Sequence, residues 1–225
     1  ANLLAALGTS QKDHYGMSFF VGLGNKADVD FSEFIAYAGK DDNTKCIAVY
    51  MEGLDSPEAF IEACQSVAKP VVAIKVGRSP IGVKAAFAHT ASEHVRDDAY
   101  YDEVFAQAGA LRATTWQEFL DVSLALGTQL ALRGENVVMI TNGGGSGLLS
   151  CDHFDRCGLP LKELKEISPS LAGRIRAYMP MFGSPLNPVD ISGTASPTQY
   201  KGAFMQAMRD PAVDGILGSM RSSTL

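Results

Sequence analysis

The run VVAIKVGRSPIGVKAAFAHTAS, Val71–Ser92, decides how the chain is read. Val71 to Val76 follow Pro70 and are apolar except for Lys75, the pattern of a buried strand. From Gly77 the composition turns polar and glycine-bearing, so the chain is expected to leave the sheet as a loop that returns a histidine, His89. Imidazole is the side chain most easily used as a nucleophile or proton carrier near neutral pH. Lys75, Arg78 and Lys84 surround it with positive charge, which suits a phosphorylated partner. The same residues also fit a surface loop with an incidental histidine.

Outward from this run, strands and helices alternate. Upstream, Cys46 to Met51 is a strand ended by Glu52 and Gly53, and Ser56–Pro57 opens a helix to about Val67. Before it, Asp30 and Glu33 have capping spacing ahead of a helix with Phe31, Phe34, Ile35 and Ala38 on one face. Met17 to Leu23 is expected as a strand, and Asn2 to Leu7 as a helix end stopped at Gly8. Downstream, Tyr101, Val104, Phe105 and Ala108 have helical spacing, Ala110 to Ala113 is a short strand, and Thr115 with Glu118 makes a capping box. Such alternation implies an α/β fold with parallel strands and helices on both sheet faces.

The polar LRGEN stretch, Leu132–Asn136, marks a boundary and gives two domains, 1–131 and 132–225. The second starts with the strand Val137 to Thr141, passes directly into NGGGSG, and continues as a helix through Cys157. A proline- and glycine-rich loop spans Pro180 to Pro197. A helix with Tyr200, Ala203, Phe204, Ala207 and Met208 on one stripe and a strand at Val213 to Gly218 follow.

The net charge of -6 and the absence of long basic runs argue against nucleic acid or anionic membrane as the main partner. With 46% hydrophobic and 20% charged residues, the 225-residue chain has the balance of a globular protein, and no apolar run approaches membrane-spanning length. Cys46, Cys64, Cys151 and Cys157 form no CxxC pair and no zinc-spaced set, so no metal site is expected, and reduced thiols fit a cytoplasmic setting. The chain has no initiator Met and is expected to be a piece of something longer.

Two further groups carry chemistry. Asn142, Gly143, Gly144, Gly145, Ser146 and Gly147 lie between a strand and a helix, where glycines let amides converge on a phosphate and the helix adds its positive end. The sequence is neither a Walker motif nor GxGxxG, so it specifies no nucleotide, and a tight turn that binds nothing is the alternative. Glu52 stands directly after a strand, where α/β proteins display functional groups. A carboxylate there can hold one imidazole nitrogen and leave the other free to attack; the alternative is a cap or a solvent-facing glutamate. His14, His94 and His153 have the surroundings of surface residues, and Asp28, Asp30, Asn187 and Asp190 those of turn formers.

GNKADVDFSEFI, YMEG at Tyr50–Gly53, KPVVAIKVGRSPIGVKAAFAHTAS, VVMITNGGGSGLLSCD and NPVD at Asn187–Asp190 occur in the order found in NDP-forming acyl-CoA synthetases. The chain resembles the two succinyl-CoA synthetase-like ligase modules of that family, nearly end to end. The resemblance implies two flavodoxin-like, doubly wound parallel-sheet domains, the first lacking its first strand. It matches His89 to the transiently phosphorylated histidine, Glu52 to the glutamate that orients it, and Asn142–Gly147 to a helix start that holds phosphate. It implies CoA, ATP or ADP with Mg, and a small carboxylic acid as ligands of an oligomeric whole enzyme. A CoA-binding Rossmann module and an ATP-grasp module would be partners, fused or separate, so the piece alone should be inactive. The family has glycine after the His-Thr pair, whereas Ala91, Ser92, Glu93 and His94 stand here, a departure that bears on loop flexibility. A non-catalytic module that senses CoA or acyl-CoA in a regulatory or acyltransferase fusion is the alternative, as is a plain flavin- or nucleotide-binding module.

Overall fold

The computed structural model describes residues 16–26, 28–90 and 96–220, with 87–90 as backbone only. The helix end expected at Asn2–Leu7 lies outside the described residues. The chain forms two compact units, Ala1–Leu130 and Ala131–Leu225.

The first unit runs α1 (Phe31–Lys40), β1 (Ile47–Met51), α2 (Pro57–Ser66), β2 (Val71–Lys75), α3 (Pro80–Thr90), α4 (Asp98–Ala108), β3 (Leu111–Ala113) and α5 (Trp116–Thr128). Its strands are all parallel in the order β1-β2-β3, in register from Ile47↔Val71 to Met51↔Lys75 and from Val72↔Leu111 to Ile74↔Ala113. The central strand β2 is buried at all five residues because both its faces are covered. Val71 and Ala73 pack with Ile35, Phe60, Tyr101 and Phe105 of α1, α2 and α4, whereas Val72 and Ile74 pack with Phe119 and Leu120 of α5. That two-sided cover explains why the strand is apolar without alternation.

Local chemistry sets the helix starts. Asp30 accepts from Phe31 N at 2.7 Å and Glu33 returns a carboxylate to Asp30 N at 3.0 Å, completing the box at α1. At α5 only half the expected box forms. Thr115 Oγ1 accepts from Glu118 N at 3.1 Å, but the Glu118 carboxylate reaches one residue further back, to Thr114 N at 2.7 Å. The strand expected at Met17–Leu23 is absent, since an apolar run becomes a strand only beside an edge that can pair with it. Here Ser18 Oγ bonds Thr44 Oγ1 at 2.7 Å and Phe19 sits edge-on to Tyr37 at 5.7 Å, which ties the segment to α1 and its end.

The segment expected as a loop between Gly77 and Ser92 is largely helical. Ser79 caps α3 through Gly82 N→Oγ at 3.1 Å, Pro80 takes the first helical position, and the alanines that follow favour a helix. Gly77 turns the chain into it with φ +75, and an added Cβ would stand 3.0 Å from the Gly82 carbonyl oxygen.

The second unit runs β4 (Val137–Thr141), α6 (Gly144–Arg156), α7 (Leu164–Ile167), α8 (Leu171–Arg176), β5 (Val189–Asp190), α9 (Pro197–Met208) and β6 (Gly215–Ser219). The sheet order is β5-β4-β6, all parallel, so the chain moves to one side of β4 for β5 and to the other for β6. Val138 and Ile140 are fully buried among Leu164, Leu171, Ile175, Val189, Ile191, Ala203 and Ala207. The short strand β5 lies inside the Pro180–Pro197 stretch expected to be loop. Asn187, expected as a turn former, instead acts as a surrogate strand residue against β4: its Oδ1 accepts from Met139 N at 2.9 Å and its Nδ2 donates to Val137 O at 2.8 Å. Asp210 ties three segments, accepting from Ser168 Oγ at 2.7 Å, from Ala212 N at 3.0 Å and from Arg174.

Among the described residues no helix is long and apolar enough to cross a membrane.

Candidate functional site

Glu52 follows β1 directly and is half-buried. Beside it the ladder runs one bond past the strand ends, Val76 N donating to Met51 O at 3.0 Å. Lys75, the last residue of β2, does not join Arg78 and Lys84 in an outward positive rim as its place in the sequence suggested. It is 2% exposed, on the face shared with Val71 and Ala73. Its Nζ donates to Val76 O at 2.6 Å and lies 4.7 Å from the centre of the Tyr101 ring. Burial pushes the Lys75 ammonium below the ordinary lysine range; Asp98 and Glu52 oppose that fall and Arg112 adds to it.

Arg78, in the link between β2 and α3, bonds Asp98 through Nε at 2.9 Å, and Arg112 of β3 holds the other oxygen of the same carboxylate. Burial raises the Asp98 carboxyl, and the hydrogen bonds from Arg112 and Arg78 outweigh it, so Asp98 stays below its usual range. Arg78, Val83, Lys84, Arg96 and Asp98 contribute to the wall of a cavity of about 380 Å³ beside α3. Sequence spacing gave no sign of the Asp98–Arg112 pair, because its members belong to elements that only the sheet brings together.

His89 occupies the last turn of α3, about 13 Å along the helix axis from Pro80. The structure thus places Glu52 at the exit of β1 and His89 at the far end of α3, the helix that follows β2, rather than both at adjacent strand exits. The helix is lightly held over its first turns: Ile81 is 79% exposed, while Ala86 is buried. The apolar residues of Pro80–Thr90 are spread around the axis instead of forming one stripe.

In the second unit, Asn142 and Gly143 leave β4 and the remaining residues of the glycine motif form the first turn of α6. The turn stands at the carboxyl end of the central strand, where the connections depart to opposite sides, the position at which open α/β sheets bind ligands. Gly143 is the cap residue and has no side chain to satisfy the first amides of the helix. Its own N–H donates to Thr141 Oγ1 at 3.0 Å. Gly147 packs on Pro188, where an added Cβ would stand 3.3 Å from the ring, and nothing lies within 4 Å of one added at Gly145. Asp190 was expected to shape a turn, and its Oδ1 does accept from Ser192 N at 2.9 Å. Its Oδ2 lies 2.8 Å from where a Gly144 Cβ would be, which no local sequence signal foretold.

The thiols do not compete as nucleophiles in the first unit: burial pushes Cys46 up to about 11 and Cys64 up to about 12.

The model of the succinyl-CoA ligase like flavodoxin domain matches residues 1–126, and that of the ligase-CoA domain matches residues 137–222. The α subunit of an ADP-forming acetate–CoA ligase I from Pyrococcus furiosus is 39% identical over 215 residues, covering 95% of this chain and 46% of the relative. An ADP-forming acetate–CoA ligase I from Archaeoglobus fulgidus is 36% identical over 220 residues, 96% of this chain and 31% of its own length. A solved structure of the dinucleotide forming acetyl-coenzyme A synthetase 1 of Ca. Korarchaeum cryptofilum, in complex with phosphate and ADP, superposes with a TM-score of 0.90 at 33% identity. That match covers 98% of this chain and 48% of the other, so the chain spans less than half the length of the relatives it matches here. On these matches and its two parallel-sheet units, the chain belongs to the succinyl-CoA synthetase-like ligase domains of the NDP-forming acyl-CoA synthetase family.

Proposed function

We propose that this chain is the phosphohistidine-bearing part of an NDP-forming acyl-CoA synthetase, which interconverts acyl-CoA, NDP and phosphate with acid, CoA and NTP. The observation that carries the reading is the start of α6 at the switch strand of the second unit, where the cap glycine leaves helix amides for an anion. Phosphate attacks the thioester carbonyl, the C–S bond breaks, and acyl phosphate and free CoA result. An imidazole nitrogen of His89 then attacks phosphorus, and the P–O bond to the acyl group breaks to release the acid. The phosphoryl group finally passes from nitrogen to a terminal oxygen of the nucleoside diphosphate. Each transfer moves a highly charged group, so fixed positive ends and positioning supply most of the catalysis.

Asn142 to Gly147 would hold the phosphate, Glu52 would fix the imidazole tautomer, and the lightly packed α3 would let His89 travel between sites. CoA and the nucleotide would sit mainly on a Rossmann module and an ATP-grasp module, in the same chain or another subunit of a cytoplasmic oligomer, with a small carboxylic acid as substrate. Mg would accompany the nucleotide on the ATP-grasp module.

Incubating the assembled enzyme with labelled nucleotide should leave an acid-labile, alkali-stable label on this chain, as a phosphoramidate does. An acid-stable label would rule the carrier out. Glu52→Gln should slow the appearance of that label about tenfold to a hundredfold while the acceptor persists, the usual cost of losing a group that orients an imidazole. An unchanged single-turnover rate would remove Glu52 from the site.

Gly144→Val would press on the Asp190 carboxylate and cover the open helix start. Phosphate affinity measured by calorimetry should fall about tenfold, the value of one lost charge-assisted contact. Unchanged affinity would move the phosphate elsewhere.

A further inference from the structure

The cavity beside α3 has no task in the phosphoryl-transfer scheme, yet its wall draws cations from three separate segments. Arg78 comes from the link between β2 and α3, Lys84 from an exposed position on α3, and Arg96 from just ahead of α4. Two carboxylates share that wall. Asp97 caps α4, its Oδ1 accepting from Tyr100 N at 3.1 Å. Asp98 lies between Arg78 and Arg112, so Arg112 already matches its charge from outside the cavity. Asp102, the other carboxylate on Arg112, is 65% exposed and screened by water. The wall therefore keeps an excess of positive charge, which repels itself until an anion joins it.

Two of the three cations are held in place. Arg78 gives Nε to Asp98 at 2.9 Å, which fixes the guanidinium plane. Its two Nη groups, the fork that grips a phosphate through two oxygens, make no hydrogen bond among the described residues, and the side chain is 42% exposed. Arg96 rests its guanidinium over Tyr100, 5.8 Å from the ring centre. At about 380 Å³ the cavity falls within the size range of small-ligand sites, which begins near about 300 Å³. We propose that this cavity is a second anion site, separate from the glycine turn of the second unit. Its ligand is a phosphate group with a free dianionic end, either inorganic phosphate or the terminal phosphate of a nucleoside diphosphate. A carboxylate would engage only the Arg78 fork and leave the remaining charge unmatched. Lys84 precedes His89 by five residues, about 7.5 Å of helix rise, so the site stands on the same helix and needs no imidazole.

Gly144→Val in the assembled enzyme removes the glycine turn from the measurement. In that background, calorimetric titration with inorganic phosphate and with a nucleoside diphosphate should reveal the site through two further changes. Lys84→Gln removes one charge at an exposed helix position where glutamine is as good a helix former, so the fold is kept. Arg78→Lys keeps the charge beside Asp98 and removes the fork. Each should weaken binding about tenfold, the scale of one hydrogen bond to a charged group. Weakening of inorganic phosphate alone assigns the cavity to that ion, and weakening of the nucleoside diphosphate assigns it to the nucleotide end; both outcomes support the site. If neither change weakens either ligand, the cavity is not an anion site. Phosphohistidine labelling is not the readout, so failure here leaves the carrier role of His89 standing, and failure of His89 leaves this site standing.

Discussion

His89→Ala is expected to lower acyl-CoA synthesis from acid, CoA and NTP in the assembled enzyme by at least about a thousandfold, the scale on which removal of a nucleophile acts. The fold should persist. Alanine is the better helix former, so the change does not lower the propensity of α3. One half-reaction should survive, because acyl phosphate formation from acyl-CoA and phosphate does not use the imidazole. Trapping with hydroxylamine should therefore give acyl hydroxamate in the variant at near-native rate while no phosphoryl label reaches the chain. Full turnover by the variant would end the assignment of His89. Loss of both half-reactions with an unchanged circular dichroism spectrum would place His89 in the acyl step instead.

The second large effect concerns stability. Asp210→Ala should destabilise the second unit by about 3 kcal/mol, read as a lower urea midpoint. The carboxylate is 6% exposed and accepts from Ser168, Ala212 and Arg174, so its removal strands a buried hydroxyl and a backbone amide near the start of β6. The figure lies at the low end for a broken buried pair because the Arg174 side chain is 40% exposed and can turn to water. Burial raises the Asp210 carboxyl, but the bonds from Ser168, Ala212 and Arg174 outweigh it and hold it below the ordinary range. A depressed carboxyl stabilises the folded state fully above its unfolded pKa, and that contribution is lost as pH falls through the folded value. The gap between native protein and Asp210→Asn should hence be constant near neutrality and shrink below about pH 4. A gap that grows on acidification would show that Asp210 is not held as the carboxylate.

Much of the backbone was legible along the chain because its signals are local. Val137 to Thr141 is a strand with the bounds expected, and the run from Val71 shows its buried strand, since strand length and apolar continuity need no knowledge of partners. The Asp30–Glu33 box was legible for the same reason. Identity of the family was legible too, from five motifs in one order. The helical nature of Pro80–Thr90 was overlooked because Gly77, Ser79 and Gly82 look like loop chemistry until Ser79 is seen to cap and Pro80 to begin a helix.

Other features depend on contacts between segments distant in sequence, and only the tertiary structure decided them. Met17 to Leu23 has the composition of a strand but no edge to pair with among the described residues. Asn187 serves as a rung against β4, and Asp190 comes to lie beside Gly144, only because β5 packs parallel to β4. Lys75 reads in the sequence as positive charge around His89, and its burial beside Tyr101 follows only from the packing of α4 on the sheet. Propensity and periodicity are properties of neighbours along the chain, so the sequence by itself determined the elements and the family; the surroundings of a carboxylate or an ammonium arise where separate elements converge, and only the packed sheets set them.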